Sequence, residues 1–190
     1  NTAVGASAGY SNTTGTYNVF LGSLAGYGNL SANANTAVGY QAFYTNSTGA
    51  NNSIFGAAAL YFNTTGSNNT AIGEEALKAN TTASNNTAVG YQAGYSNQTG
   101  EYNTFIGRAA GYNTNAGFNV FVGDAAGTAN TSGRFNSATG RSALVSNTTG
   151  ENNSAFGFEA LQANTTASNN TAVGYQAGYG TTTQAQSVFV

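Results

Sequence analysis

Asn1-Thr2-Ala3-Val4-Gly5 opens the chain, and variants of this phrase return along its whole length. They begin at Asn18, Asn35, Asn52, Asn69, Asn86, Asn103, Asn119, Asn136, Asn153 and Asn170, and each closes on a glycine four residues later. The step is 17 residues, with a single step of 16 between Asn103 and Asn119. A further, partial copy is placed at Gln186–Val190. A fixed short period is the mark of a solenoid, because a unit this small cannot bury an apolar face alone and must stack on its neighbours. The 190 residues are therefore expected to form one repeat array, 1–190, of about eleven rungs, with no division into globular domains.

Numbered from its asparagine, each rung has Asn at position 1, Gly at position 5 and Ala at position 8 in all eleven copies. Positions 2–4 are rich in Thr, Val, Ile and Phe, which predicts a short strand. Side chains alternate across a strand, so positions 2 and 4 share one face and position 3 takes the other. Position 4 is aliphatic or Phe in ten copies and is expected inside. Position 3 and the tyrosines of position 10 are then left as faces for self-association. Phe20, Phe105 and Phe121 at position 3 follow Tyr17, Tyr102 and Phe118 at position 17 of the preceding rung, a pairing expected to make locally thick layers. Gly at position 5 ends the strand, where a positive φ or a close backbone approach is needed. Asn-Thr-Thr-Gly at positions 12–15 has turn chemistry. Glu74–Lys78 and Phe158–Gln162 invite a helical reading of positions 6–11, but six sibling rungs place Gly at position 9. A glycine there weakens a helix by about 1 kcal/mol, so a second short strand or a bent arc is expected.

The fold class that follows is all-β: a parallel β-roll or β-solenoid with rungs stacked about 4.8 Å apart, giving a rod about 50 Å long. Asn1, Asn18, Asn35, Asn52, Asn69, Asn86, Asn103, Asn119, Asn136, Asn153 and Asn170 fall above one another. Their amides are expected to bond along the stack as a structural ladder and to satisfy turn backbone.

Composition narrows the function. Only 5% of residues are charged and the net charge is −2, with four basic residues, so no electrostatic footprint for nucleic acid exists. There is no His and no Cys, which removes an imidazole base, a Ser-His-Asp arrangement and the usual zinc ligands. Calcium-binding rolls need rows of Asp, and the chain has one. The glycines follow the repeat and no Gly-Lys-Ser/Thr follows them, so no phosphate loop is expected. Six scattered carboxylates read as solvated charge. No catalytic residue, cofactor or metal is expected, and no apolar run is long enough to span a membrane. Asn-x-Ser/Thr sequons place Asn12, Asn46, Asn63, Asn80, Asn97, Asn130, Asn147 and Asn164 on the position-12 turn as candidate glycosylation sites.

Asn-Thr-Ala-Val-Gly-Tyr-Gln-Ala at 35–42, 86–93 and 170–177 resembles the head repeat of trimeric autotransporter adhesins, whose core reads Asn-Ser-Val-Ala-Ile-Gly, and similar arrays in phage tail fibres. The resemblance covers essentially the whole chain. It implies a left-handed roll, three chains wound into a fibre, and a surface adhesin or fibre shaft, exported or carried on a virion and able to meet a receptor; the tyrosine rows read first as packing and second as a contact for surface glycans. The rung here is longer, at 17 residues, and carries its own Asn-Thr-Thr turn. Residues 79–95 are identical to 163–179, which suits a modular shaft continuing beyond both ends. The expected function is a non-catalytic extracellular fibre or adhesin shaft. The alternatives are an ice-binding solenoid, suggested by recurrent Thr pairs, and a β-helical glycan-active enzyme.

Overall fold

Three residues in each rung are extended, and only these pair as strands. The computed structural model describes residues 1–190 and carries twelve strands, from β1 (Thr2–Val4) and β2 (Val19–Leu21) to β7 (Thr104–Ile106), β8 (Val120–Val122) and β12 (Val188–Phe189). They form one parallel sheet in chain order. Pairing is in register with the repeat: Thr2 faces Val19 and Thr70 faces Thr87. Across the short step Thr104 faces Val120. The chain is a β-solenoid without a helix. Its last pairing places Thr171 opposite Val188, so Ser187 occupies the asparagine position and the partial rung begins there, not at Gln186. Gln186 has φ 57°, as do the position-17 residues of other rungs within a few degrees, and it closes the eleventh rung.

The strand faces are reversed from the sequence expectation. Position 3 points inward: Phe20, Ala37, Ile54, Phe105 and Phe121 are all buried, whereas Val4, Phe55, Ile72 and Val173 at position 4 are exposed. The reason lies across the core. Position 9 also points inward, and it carries Gly, Phe or Leu. Rungs with Phe at position 3 have Gly at position 9, as in Phe20 with Gly26, Phe105 with Gly111 and Phe121 with Gly127; a Cβ on any of these glycines would strike the facing ring. Rungs with Ala at position 3 fill the space from the other side, as in Ala71 with Leu77 and Ala138 with Leu144. Gly94 has small residues at both places in its own rung, and its missing side chain is replaced by neighbours: an added Cβ would lie 2.5 Å from the Phe105 ring above and 2.9 Å from Leu77 below. In seven of the eleven rungs the two positions thus trade size; the rung of Ile54 and Leu60 carries bulk at both, and the rungs of Gly9, Gly94 and Gly178 at neither. The paired aromatics do not form one layer, because Phe105 and Phe121 are inside the wall while Tyr102 and Phe118 stand outside it.

This trade makes a checkable exchange. Phe121→Ala combined with Gly127→Leu rebuilds the eighth rung on the pattern of Ala138 and Leu144. Volume-conserving core swaps cost under about 1.5 kcal/mol, and a leucine in the left-handed region adds about 1–2 kcal/mol. Chemical denaturation should show the double variant losing only that much, with Phe121→Ala alone less stable than the double.

Positions 6–11 form the opposite wall as a bent arc, not a second strand. Left-handed residues alternate along it at positions 7 and 9, for example Glu75 (φ 59°) and Leu77 (φ 49°), or Glu159 (φ 55°) and Leu161 (φ 51°). The stretches with helical composition therefore run through conformations that a right-handed helix cannot contain. The arc still hydrogen-bonds between rungs: Gly9 N–H donates to Ala25 O (2.9 Å) and Ser11 N–H to Tyr27 O (3.0 Å).

Candidate functional site

The two asparagine rows are internal fasteners. At position 1 the side-chain Oδ1 of Asn1 accepts the backbone N–H of Asn18 (2.8 Å), and this bond recurs up the stack to Ser187 N–H on Asn170 (3.0 Å). The same side chain turns its Nδ2 across the rung to the carbonyl of position 15, as in Asn18 to Ala32 (2.8 Å) and Asn86 to Gly100 (2.9 Å). At position 12 amide donates to amide: Asn46 to Asn29 (2.9 Å), Asn63 to Asn46 (2.9 Å), Asn80 to Asn63 (2.7 Å) and Asn164 to Asn147 (2.8 Å).

This second row corrects the glycosylation expectation. Asn46, Asn63, Asn80, Asn97, Asn130, Asn147 and Asn164 are fully buried, and Asn12 is partly buried at the open end of the same row. Nδ2, the atom a glycan would occupy, is spent on the carbonyl three residues on, as in Asn97 to Gly100 (2.8 Å). Position-12 asparagines turn inward because the turn carbonyl at position 15 receives no backbone N–H and takes side-chain donors instead, one from position 1 and one from position 12. The accessible sequon asparagines are instead those of position 17, such as Asn68 and Asn85.

Outside, the sheet presents two parallel rows. Position 2 is Thr, Ser or Val; position 4 is an unbroken aliphatic or aromatic strip except at Thr139. Phe55, Ile72, Ile106, Phe156 and Val173 on this strip are 40–48% exposed. Around the arc, Tyr10, Tyr27, Tyr44 and Tyr61 stack in sequence at 5.3, 5.1 and 5.0 Å. The row is interrupted by Lys78, whose ammonium lies 5.7 Å from the Tyr95 ring.

Five of the ten charged side chains pair with one another. Asp124 sits between Arg108 (2.7 Å) and Arg141 (3.6 Å) on adjacent rungs. Glu75 bonds Lys78 (2.6 Å) and accepts from Gln92 (2.7 Å), and these two hydrogen bonds hold its carboxyl below the usual range. The bond to Glu75 raises Lys78. A lowered carboxyl contributes stability above its unfolded pKa, lost as pH falls through the folded value; a raised lysine contributes below its unfolded pKa, lost as pH rises through the folded one. The pair is therefore intact across the neutral range. No group of three or more His, Cys, Asp or Glu side chains gathers as a metal site.

One place departs from the repeat. The rung beginning at Asn103 lacks one residue of its turn, and a cavity of about 370 Å³ opens there between Thr99, Gly100, Glu101, Asn115, Ala116, Gly117, Phe118 and Arg134. Gly117 stands at position 16 between Glu101 below and Arg134 above. A Cβ on Gly117 would lie 2.5 Å from the Glu101 carbonyl oxygen, so the shortened turn admits only glycine and leaves a notch between the two charged side chains. Thr114 replaces asparagine in the position-12 row, and its buried hydroxyl has no partner. Outside the notch Tyr102, Phe118 and Phe135 stack at 5.1 and 5.3 Å, with the Arg134 guanidinium 5.4 Å from the Phe118 ring and 5.3 Å from that of Phe135. The sequence carried a signal for this site: the 16-residue step coincides with an acid and a base at position 16 and three consecutive aromatics at position 17. Only the fold brings them around one opening.

No family model, curated protein or solved structure matches the chain. The class is defined by the coordinates alone: a parallel β-solenoid with asparagine-fastened rungs.

Proposed function

We propose that this chain is a structural segment of an extracellular fibre or adhesin shaft, built by self-association of three copies and serving surface attachment without catalysis. The observation that carries this reading is the position-4 strip. It runs the length of the sheet and exposes large apolar side chains at intervals of about 4.8 Å, on a chain with very few charges to keep such a face apart from its like. A contiguous exposed apolar strip of this kind marks an association surface, and the repeat makes every copy self-complementary along its axis. The number three, a left-handed winding and a location on a cell or virion surface come from the resemblance to adhesin heads and tail fibres.

Native mass spectrometry with electron microscopy tests it. Elongated particles of three times 19.1 kDa are expected. Ile72→Lys with Ile106→Lys, both on exposed positions, should leave the circular dichroism of the solenoid unchanged and shift the particle to single chains. A parent chain that is already a single 19.1 kDa particle at high concentration would end the proposal.

One observation favours an ice-binding surface as the second reading. Thr36, Thr70, Thr87 and Thr104 stand on the outer sheet face beside the aliphatic strip, repeating at the same strand position. The recurrent Thr pairs of the turn do not add to it, because hydroxyls such as those of Thr64 and Thr148 are spent on the carbonyl of the next rung. Thermal hysteresis of the purified chain separates the two readings.

A further inference from the structure

We infer that the notch at the short rung is a binding site for a neutral saccharide ring. In a solenoid whose every other rung is built to fill its own turn, this is the one opening, and it concentrates rare residue types. The chain has ten charged side chains; one of each sign faces this cavity, and they do not neutralise each other, because Glu101 and Arg134 make no ion pair.

The hydrogen-bonding groups around the notch are unspent. Asn115 uses its Oδ1 to accept Gln98 N–H (2.9 Å) and Thr99 N–H (3.0 Å), so its Nδ2 remains a free donor. In four rungs the N–H of position 16 finds a side-chain oxygen one rung up, as Ser67 does on Ser84 (3.0 Å) and Glu151 on Ser168 (2.9 Å). Glu101 N–H meets Gly117 in that place and has no partner, and Gly117 N–H has none either. Phe135 is the one position-17 residue after the first rung whose N–H lacks its bond to the carbonyl below. A carboxylate, a guanidinium, a free amide and unpaired N–H groups thus border a cavity whose outer side is an exposed aromatic column.

Each feature selects the occupant. Glu101 disfavours an anion and Arg134 disfavours a cation. A ring with hydroxyls that both donate and accept satisfies both, and its apolar C–H groups suit the half-exposed edges of Phe118 and Tyr102, the two faces of Phe118 being covered by Tyr102 and Phe135. The volume is at the small end of ligand pockets, which run from about 300 to 1,000 Å³, and fits one sugar residue of a chain passing over the surface. The role as attachment chemistry rests on the fibre reading; the binding itself does not, since all the residues belong to one chain.

Amide NMR of the isotopically labelled chain, titrated with methyl glycosides of glucose, galactose and mannose and with N-acetylglucosamine, tests the site. At least one sugar is expected to shift the Glu101, Gly117 and Phe135 amides saturably. Phe118→Ala, on an exposed side chain, should weaken that binding by about tenfold or more, which is about 1.4 kcal/mol. Inserting Thr between Asn115 and Ala116 restores a regular 17-residue rung and should abolish binding while preserving the solenoid. Absence of any saturable shift, shifts that persist in the insertion variant, or shifts produced equally by inorganic phosphate would overturn the assignment. Sugar binding by a chain that stays single would support this site and sink the trimeric fibre.

Discussion

Gly90→Ala is expected to split the stack between its sixth and seventh rungs. Gly90 has φ 137°, a region essentially closed to side chains, and a Cβ placed there would lie 2.5 Å from the carbonyl oxygen of Gly107 and 2.7 Å from its carbonyl carbon. The backbone strain costs about 1–3 kcal/mol. The overlap is with backbone one rung up, and that backbone cannot retreat without releasing Gly107 N–H from Val89 O (2.8 Å). In a quasi-one-dimensional array such damage stays local: the rungs on each side keep their other neighbours. Two melting transitions, proteolytic cleavage near the seventh rung and fast hydrogen exchange at Gly107 and Ala109 should replace the parent's single transition. Gly174→Ala is the internal control. Gly174 has φ 132°, but the nearest atom to its added Cβ is Ala177 Cβ at 3.9 Å, so it should suffer the strain alone. Equal destabilisation of the two variants would show that conformation, not rung contact, dictates this glycine.

The same comparison explains how much of the fold was legible. Gly at position 5 and Asn at position 1 admit no substitute in any of eleven copies, and their invariance pointed directly to rung contact and to a ladder. The strand at positions 2–4 was equally plain. Its inward face was not, because uniform aliphatic character at position 4 looks like core while a mixture of Ala and Phe at position 3 looks like surface. That mixture makes sense only beside position 9, the five intervening residues of strand end and arc being needed to bring Leu77 over Ala71 or Gly127 over Phe121. The sequons misled for a related reason: a turn asparagine is normally solvent-facing, but here the stack supplies a buried acceptor on the neighbouring rung. The notch was visible only as a counting irregularity, since a deletion has no side chain to announce what it uncovers.

Removing both fasteners of one turn should be the most damaging polar change in the chain. Gly100 O is buried and receives two amides, Asn86 Nδ2 (2.9 Å) and Asn97 Nδ2 (2.8 Å). Asn86 Oδ1 also accepts Asn103 N–H (2.9 Å), and Asn97 Oδ1 accepts Gly100 N–H (3.1 Å). Asn86→Ala alone orphans one buried N–H and leaves the carbonyl with its second donor; Asn97→Ala alone does the converse. Each single variant is expected to lose about 1–3 kcal/mol, the cost of one unsatisfied buried group. The double variant orphans three groups, for about 3–9 kcal/mol on the same scale. The excess over the sum of the singles, about 1–3 kcal/mol, measures the shared carbonyl. Urea unfolding of the four proteins of this cycle supplies the number. Strict additivity would mean that water reaches Gly100 O once either amide is gone, and that the turn is held by its backbone, not by its asparagines.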